Sequence, residues 1–176
     1  MNKKHIRIIF LMLVITLTFV GIKYAFYSPS KLNAFIAAKV YRAPANSAFD
    51  DDNFYQCVVD AYNSETGSSV AYTDSLTDEQ LGRIIRVGCR PNNVTSINGV
   101  EKLTGLSELI LNSNQLTSAD VSNNTSLMKL NLSGNQLTEI DLSKNVNLTE
   151  LYLSGNQLTE IDLSKNVNLK FLYLTN

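Results

Sequence analysis

Residues 132–147 read LSGNQLTEIDLSKNVN, and the same run stands again, unchanged, at 153–168. The repeat distance is therefore 21 residues. Working outward, Leu106, Leu127, Leu148 and Leu169 open successive units of the form LxxLxLxxNxLTxxDLSxNxx, with Val121 replacing the later Leu in the first. A preceding unit of 22 residues is degenerate but in phase. In it Ile84, Val87, Cys89, Asn92, Val94 and Ile97 hold the apolar and Asn positions, and Val100 and Leu103 carry the pattern on to Leu106. Self-similarity at a fixed period of this size is the mark of a solenoid, in which each unit contacts only its neighbours.

Alternation fixes the local geometry. In Leu109-Ile110-Leu111 the two leucines share one face of a strand and Ile110 takes the other. So short a strand cannot bury its apolar face alone. Stacked coils put Leu106, Leu127, Leu148 and Leu169 in one column, with Leu109, Leu130, Leu151 and Leu172 in a second. Leu111, Leu132, Leu153 and Leu174 form a third. The predicted result is a continuous core under a parallel sheet. Asn92, Asn114, Asn135 and Asn156 stand where the chain leaves each strand. An inward amide both donates and accepts, so this ladder is expected to satisfy backbone groups at a bend where no strand partner remains. The Asp120, Asp141 and Asp162 column, followed by Ser and then Asn, reads as local turn chemistry on the return side. Each coil already uses these carboxylates locally, so the column is not read as a metal site.

The repeats, with LTxxDLSxN at a 21-residue period, resemble leucine-rich repeats, and specifically the bacterial internalin-like class. The resemblance covers residues 49–176. It implies an α/β fold: a leucine-rich-repeat solenoid with the parallel sheet on its concave face, and a helical cap at its amino-terminal end. It also implies a Gram-positive surface protein that binds host or other surface ligands. Two departures stand out. A member of the class with 21-residue repeats carries a cysteine ladder on its strands, and only Cys89 occupies such a site here. The usual carboxy-terminal wall anchor is not in this sequence.

Upstream of the repeats, residues 49–83 read as that cap. Asp50-Asp51-Asp52 suits a helix start, since carboxylates favour the positive end of the helix dipole. Phe54, Cys57, Val58 and Ala61 recur at helical spacing. Thr77-x-x-Gln80 is a capping box that opens a second helix, and Leu76, Leu81, Ile84 and Ile85 are expected to face the first coil. Cys57 and Cys89 are predicted to face one shared core. They either pair as a disulfide, as an oxidising compartment favours, or remain as two buried thiols.

The amino-terminal segment differs in composition. Lys3, Lys4 and Arg7 precede an uncharged run from Ile8 to Ile22, a basic region followed by a hydrophobic one, as in an export signal. Residues 1–27 are expected to be a signal anchor or a signal peptide. The stretch from Lys23 to Tyr27 offers no pair of small residues for cleavage, Ser28 and Ser30 being the weak candidates nearby, and if Lys23 snorkels, residues 6–27 suffice to span a bilayer. An uncleaved membrane-targeting helix is the favoured reading, with the amino terminus inside and the body on the extracellular side. Residues 28–48, with Pro29 and Pro44 and no clear period, read as a linker, and Lys31–Tyr41 as a short helix within it.

Charge and chemistry narrow the function. Four of fifteen basic residues and none of sixteen acidic ones lie in the first 23 positions. The acidic remainder gives no case for nucleic-acid binding. His5, the sole histidine, falls in the targeting segment, so no exported imidazole is present to serve as a general base. No catalytic residues, metal site or cofactor are assigned, and the chain is expected not to be an enzyme. Binding is expected to use positions the consensus leaves free on the concave face: Arg86, Arg90, Glu108, Ile110, Lys129, Asn131, Glu150, Tyr152, Phe171 and Tyr173. The expected ligand is a protein or glycan, with a host surface as its source. The sequence stops one position short of the next ladder Asn, and a longer protein is expected. Two alternatives stand beside the binding module: a structural stalk displaying a further domain, or the targeting portion of a surface enzyme.

Overall fold

A computed structural model describes residues 48–72, 74–89 and 93–175. The proposed membrane segment 1–27 and the linker up to residue 47 lie outside the described residues, as do Arg90 and Asn92. Among the described residues, no helix is long and apolar enough to cross a membrane.

Among the described residues two helices, α1 (Asp52–Thr66) and α2 (Asp78–Gly82), lead into five short strands: β1 (Arg86–Gly88), β2 (Glu108–Ile110), β3 (Lys129–Asn131), β4 (Glu150–Tyr152) and β5 (Phe171–Tyr173). The strands form one sheet in chain order. Every pair is parallel, because each coil advances in the same direction as the last. Val87, Leu109, Leu130, Leu151 and Leu172 stand opposite one another across the sheet. The ladder continues past each strand, with Leu111 N donating to Asn131 O at 2.8 Å and Leu132 N to Tyr152 O at 2.9 Å. A 3₁₀ turn, Val100–Lys102, lies between β1 and β2.

The three predicted leucine columns are the core. Leu106, Leu109, Leu111, Leu127, Leu130, Leu132, Leu148 and Leu151 have no accessible surface. In the last coil the same positions open: Leu172 is 44% and Leu174 38% exposed, and Leu169 is half-buried. A consensus leucine is thus buried by the coil that follows it. The turn leaving each strand needs a left-handed residue, which Gly134 (φ 66°) and Gly155 (φ 67°) supply and Ser113 (φ 59°) adopts at some steric cost.

At the other end α1 lies against β1. Asp51 is its N-cap, accepting from Phe54 N at 3.0 Å, and Gly67 closes it with a left-handed turn. Phe54, Cys57 and Val58 are buried as their spacing requires, but so are Tyr55, Val59 and Tyr62. On that wider flank Tyr55 donates its hydroxyl to Asp74 O of the following loop and accepts from Leu76 N, and Tyr62 accepts from Gln80 Nε2 of α2 at 3.0 Å. Cys57 and Cys89 form a disulfide with their Cα atoms 5.6 Å apart, so the pairing holds over the two-thiol alternative. The capping box at Thr77 and Gln80 forms in both directions. Leu76, Leu81 and Ile84 are buried, whereas Ile85 is 52% exposed and does not face the core. The reason is that α2 ends at Gly82. Ile85 therefore sits on the approach to β1, in the outward column that later carries Ser107, Met128 and Thr149.

Candidate binding face

On the exposed side of the sheet the register sets two rows. Arg86, Glu108, Lys129, Glu150 and Phe171 form the first, and Gly88, Ile110, Asn131, Tyr152 and Tyr173 the second. All the described residues expected to bind therefore share one face, and Arg90 lies outside the described residues. Facing positions are one strand apart, close enough for direct side-chain contact.

Charge alternates along the first row. Arg86 pairs with Glu108 at 3.2 Å and Lys129 with Glu150 at 2.8 Å. The hydrogen bond to Glu150 raises the Lys129 ammonium above its ordinary range. Hydrogen bonds from Lys129 and then from the Tyr152 hydroxyl, 3.1 Å away, hold the Glu150 carboxyl below its own. In the second row the rings of Tyr152 and Tyr173 stack, with centroids 4.8 Å apart and planes 7° from parallel. Lys129 Nζ lies 5.7 Å from the Tyr152 ring centroid. Lys129 comes from β3 and Tyr173 from β5, which flank β4 on opposite sides, so both faces of the Tyr152 ring are engaged. Phe171 and Tyr173 are 52% and 51% exposed. Asn131 turns its Oδ1 back to Ser133 N, 3.1 Å away, and serves the turn as well as the face.

Below the sheet the ladder asparagines are buried. Asn135 Nδ2 donates to Leu111 O at 3.0 Å and Leu132 O at 2.8 Å, and its Oδ1 accepts from Leu116 N at 3.0 Å. Asn114 and Asn156 repeat the arrangement one coil away on either side. Asn92 lies outside the described residues.

The structure adds a second ladder that sequence reasoning had assigned to local turns. Asn124, Asn145 and Asn166 are buried, and each Nδ2 reaches back to two carbonyls of the preceding coil. For Asn145 these are Val121 O at 2.9 Å and Asn124 O at 3.0 Å. The signal was present, since the Asn of LSxN recurs as strictly as the leucines. Its residue type also suits turns, and the sequence does not say which way an amide points. The aspartates do act locally: Asp120, Asp141 and Asp162 accept from the backbone N–H groups of Ser122, Ser143 and Ser164, which holds each carboxyl below its ordinary range. Among the described residues, no three His, Cys, Asp or Glu side chains converge as a metal set.

Comparison with known proteins agrees with this architecture. Residues 125–165 match the family described as Leucine Rich repeats (2 copies). Internalin J of Listeria monocytogenes is 37% identical over 79 residues, which is 45% of this chain and 8% of that protein. The solved functional domain of InlJ from the same organism, which includes a cysteine ladder, superposes with a TM-score of 0.66 at 36% identity, over 74% of this chain and 29% of that one. Internalin C2, also from Listeria monocytogenes, superposes with a TM-score of 0.64 at 29% identity, over 76% of this chain and 60% of that one. This chain thus spans less than a tenth of internalin J and under two thirds of either solved relative. In this chain the column headed by Cys89 continues as Leu111, Leu132 and Leu153 rather than as cysteines. The chain carries leucine-rich repeats and is similar, in sequence and in fold, to the internalins.

Proposed function

We propose that this chain is a binding module, not an enzyme, and that the exposed strand face engages a protein partner outside the cytoplasm. One observation carries the reading. Between the coil that starts at Leu127 and the one that starts at Leu148, the differences fall at Met128, Lys129 and Asn131 against Thr149, Glu150 and Tyr152. Two of these three positions, Lys129/Glu150 and Asn131/Tyr152, point outward from the sheet. The rest of the coil is held constant while this face varies, as recognition requires and a uniform stalk does not.

The chemistry favours a protein over a glycan. Tyr152 is held between Tyr173 on one side and Lys129 on the other, with Phe171 and Tyr173 half exposed beside it. Stacked tyrosines beside a lysine and a carboxylate form a rigid, amphipathic anchor of the kind enriched at protein interfaces. The Cys57–Cys89 disulfide and the basic-then-apolar run from Lys3 to Ile22 support export, with residues 6–27 as membrane anchor.

The test is a paired capture. The full chain, a Tyr152→Ala/Tyr173→Ala variant and a return-side Lys165→Glu control are immobilised and exposed to host-cell surface proteins, and the retained proteins are compared. A partner on the strand face is retained by the wild type and the control and lost from the tyrosine variant. Identical retention by all three would dismiss the strand face as the site.

A further inference from the structure

A second surface lies on the return side of the coils, away from the strands. Ile97, Ala119, Ile140 and Ile161 form a column with one residue per coil, and Ala119 is the sole departure from isoleucine. At that departure the surface is hollowed into a groove of about 440 Å³, lined by Ile97, Ala119 and Ile140 and by Asp120, Glu139 and Asp141. Ile97 is buried, and Ala119 and Ile140 are half-buried against the core. The apolar floor is thus continuous with the interior. The three carboxylates on the rim are exposed. Asp120 and Asp141 are held in place by the N–H groups of Ser122 and Ser143 at 2.9 and 2.8 Å. Lys144 is the cation whose field reaches Asp141, and none of the residues lining the groove is basic.

We propose that this groove docks an extended segment of a partner protein, with one aliphatic side chain seated over Ala119 and a lysine or arginine on either side of it facing the rim. Shape argues for the aliphatic group, because an alanine among isoleucines leaves a gap of side-chain size. Charge complementarity argues for the flanking cations. A bare metal ion does not fit, since the carboxylates do not converge on one point. The inference stands apart from the strand-face reading, because the column lies between Leu137 and Leu142 in the coil and not on a strand.

A fluorescein-labelled Gly-Lys-Leu-Lys-Gly peptide titrated into the full chain, followed by fluorescence anisotropy at low salt, tests it. Saturable binding is expected. Ala119→Ile fills the notch without touching a carboxylate, and it should weaken binding about tenfold, the effect of losing one buried aliphatic contact. The urea midpoint of that variant should not fall. A peptide with Gly in place of Leu should bind the wild type as weakly as the original peptide binds the variant, and Tyr173→Ala should leave binding unchanged. Absence of saturable binding overturns the proposal. So does equal affinity for Ala119→Ile or for the Gly peptide, which would reduce the attraction to diffuse charge. Loss on Tyr173→Ala would move the peptide to the strand face and overturn it as well.

Discussion

The first and the last described coils are built from one pattern and differ in what is stacked against them. At the first coil Val87 and Cys89 are 1% exposed, because α1 and its disulfide cover them. At the fifth, Leu172 and Leu174 hold the matching positions and stand 44% and 38% exposed. The residues are as apolar at one end as at the other, so the difference lies in what is stacked against them. In a quasi-one-dimensional fold the stabilising unit is the interface between neighbouring coils, not the coil.

The sharpest way to break this comparison is to delete the same side chain in two places. Leu130→Ala, between two coils, should cost about 3–4 kcal/mol in urea unfolding of this chain, and Leu172→Ala in its last coil less than about 1 kcal/mol. Equal costs would mean that the coils are stable one by one. Next in size is the covered end. Cys57→Ala/Cys89→Ala removes a cross-link between residues 32 apart and should cost about 3–4 kcal/mol by the loop-entropy estimate. A fall in midpoint confined to a separate early transition would show that α1 can leave while the coils persist.

The two asparagine ladders allow a finer contrast. Asn135→Ala strips partners from two carbonyls and one N–H. Asn145→Ala strips two carbonyls but also removes a buried Oδ1 that no donor reaches. Asn135→Ala should therefore be the more damaging, by about 1–2 kcal/mol, the cost of one unsatisfied buried group. Equal losses would show that the orphaned oxygen is not a burden.

A modest, pH-dependent effect is expected at Asp51. Burial pushes its carboxyl upward, but hydrogen bonds from Thr95 N, Phe54 N, Thr95 Oγ1 and Ser96 N outweigh it and leave the group below its ordinary value of 3.8. Because the folded value is depressed, the stabilisation is present above 3.8 and is lost as pH falls through the folded value. Asp51→Asn should cost about 1 kcal/mol near neutral pH, and the gap to wild type should close on acidification. A gap that does not change with pH would mean that the bonds hold without the charge.

Much of this molecule is legible in one dimension. The 21-residue period placed the strands, their parallel order and the three leucine columns, because a periodic chain that must bury a stripe has few ways to do so. Asp51, Thr77 and Gln80 announced the helix starts for an equally local reason. The outward positions of the strands, which we propose for binding, were legible as positions the consensus leaves free, since alternation alone assigns them to the outer side of a strand.

Other features depended on what lies across the fold. The sequence contains both asparagine columns in equal strength, and only the stacking distance showed that Asn124, Asn145 and Asn166 bond to the coil before them. Tyr55 meets a loop that no helical periodicity describes, Tyr62 accepts from Gln80 of α2, and Ile85 turns outward because α2 stops short. The sequence by itself determined the coil and its period, because that information is local and repeated. The tertiary structure decided which side chains meet, among them Cys57 with Cys89, Tyr152 with Tyr173, and the gap above Ala119. A contact between coils depends on register and direction, and neither is carried by a single coil.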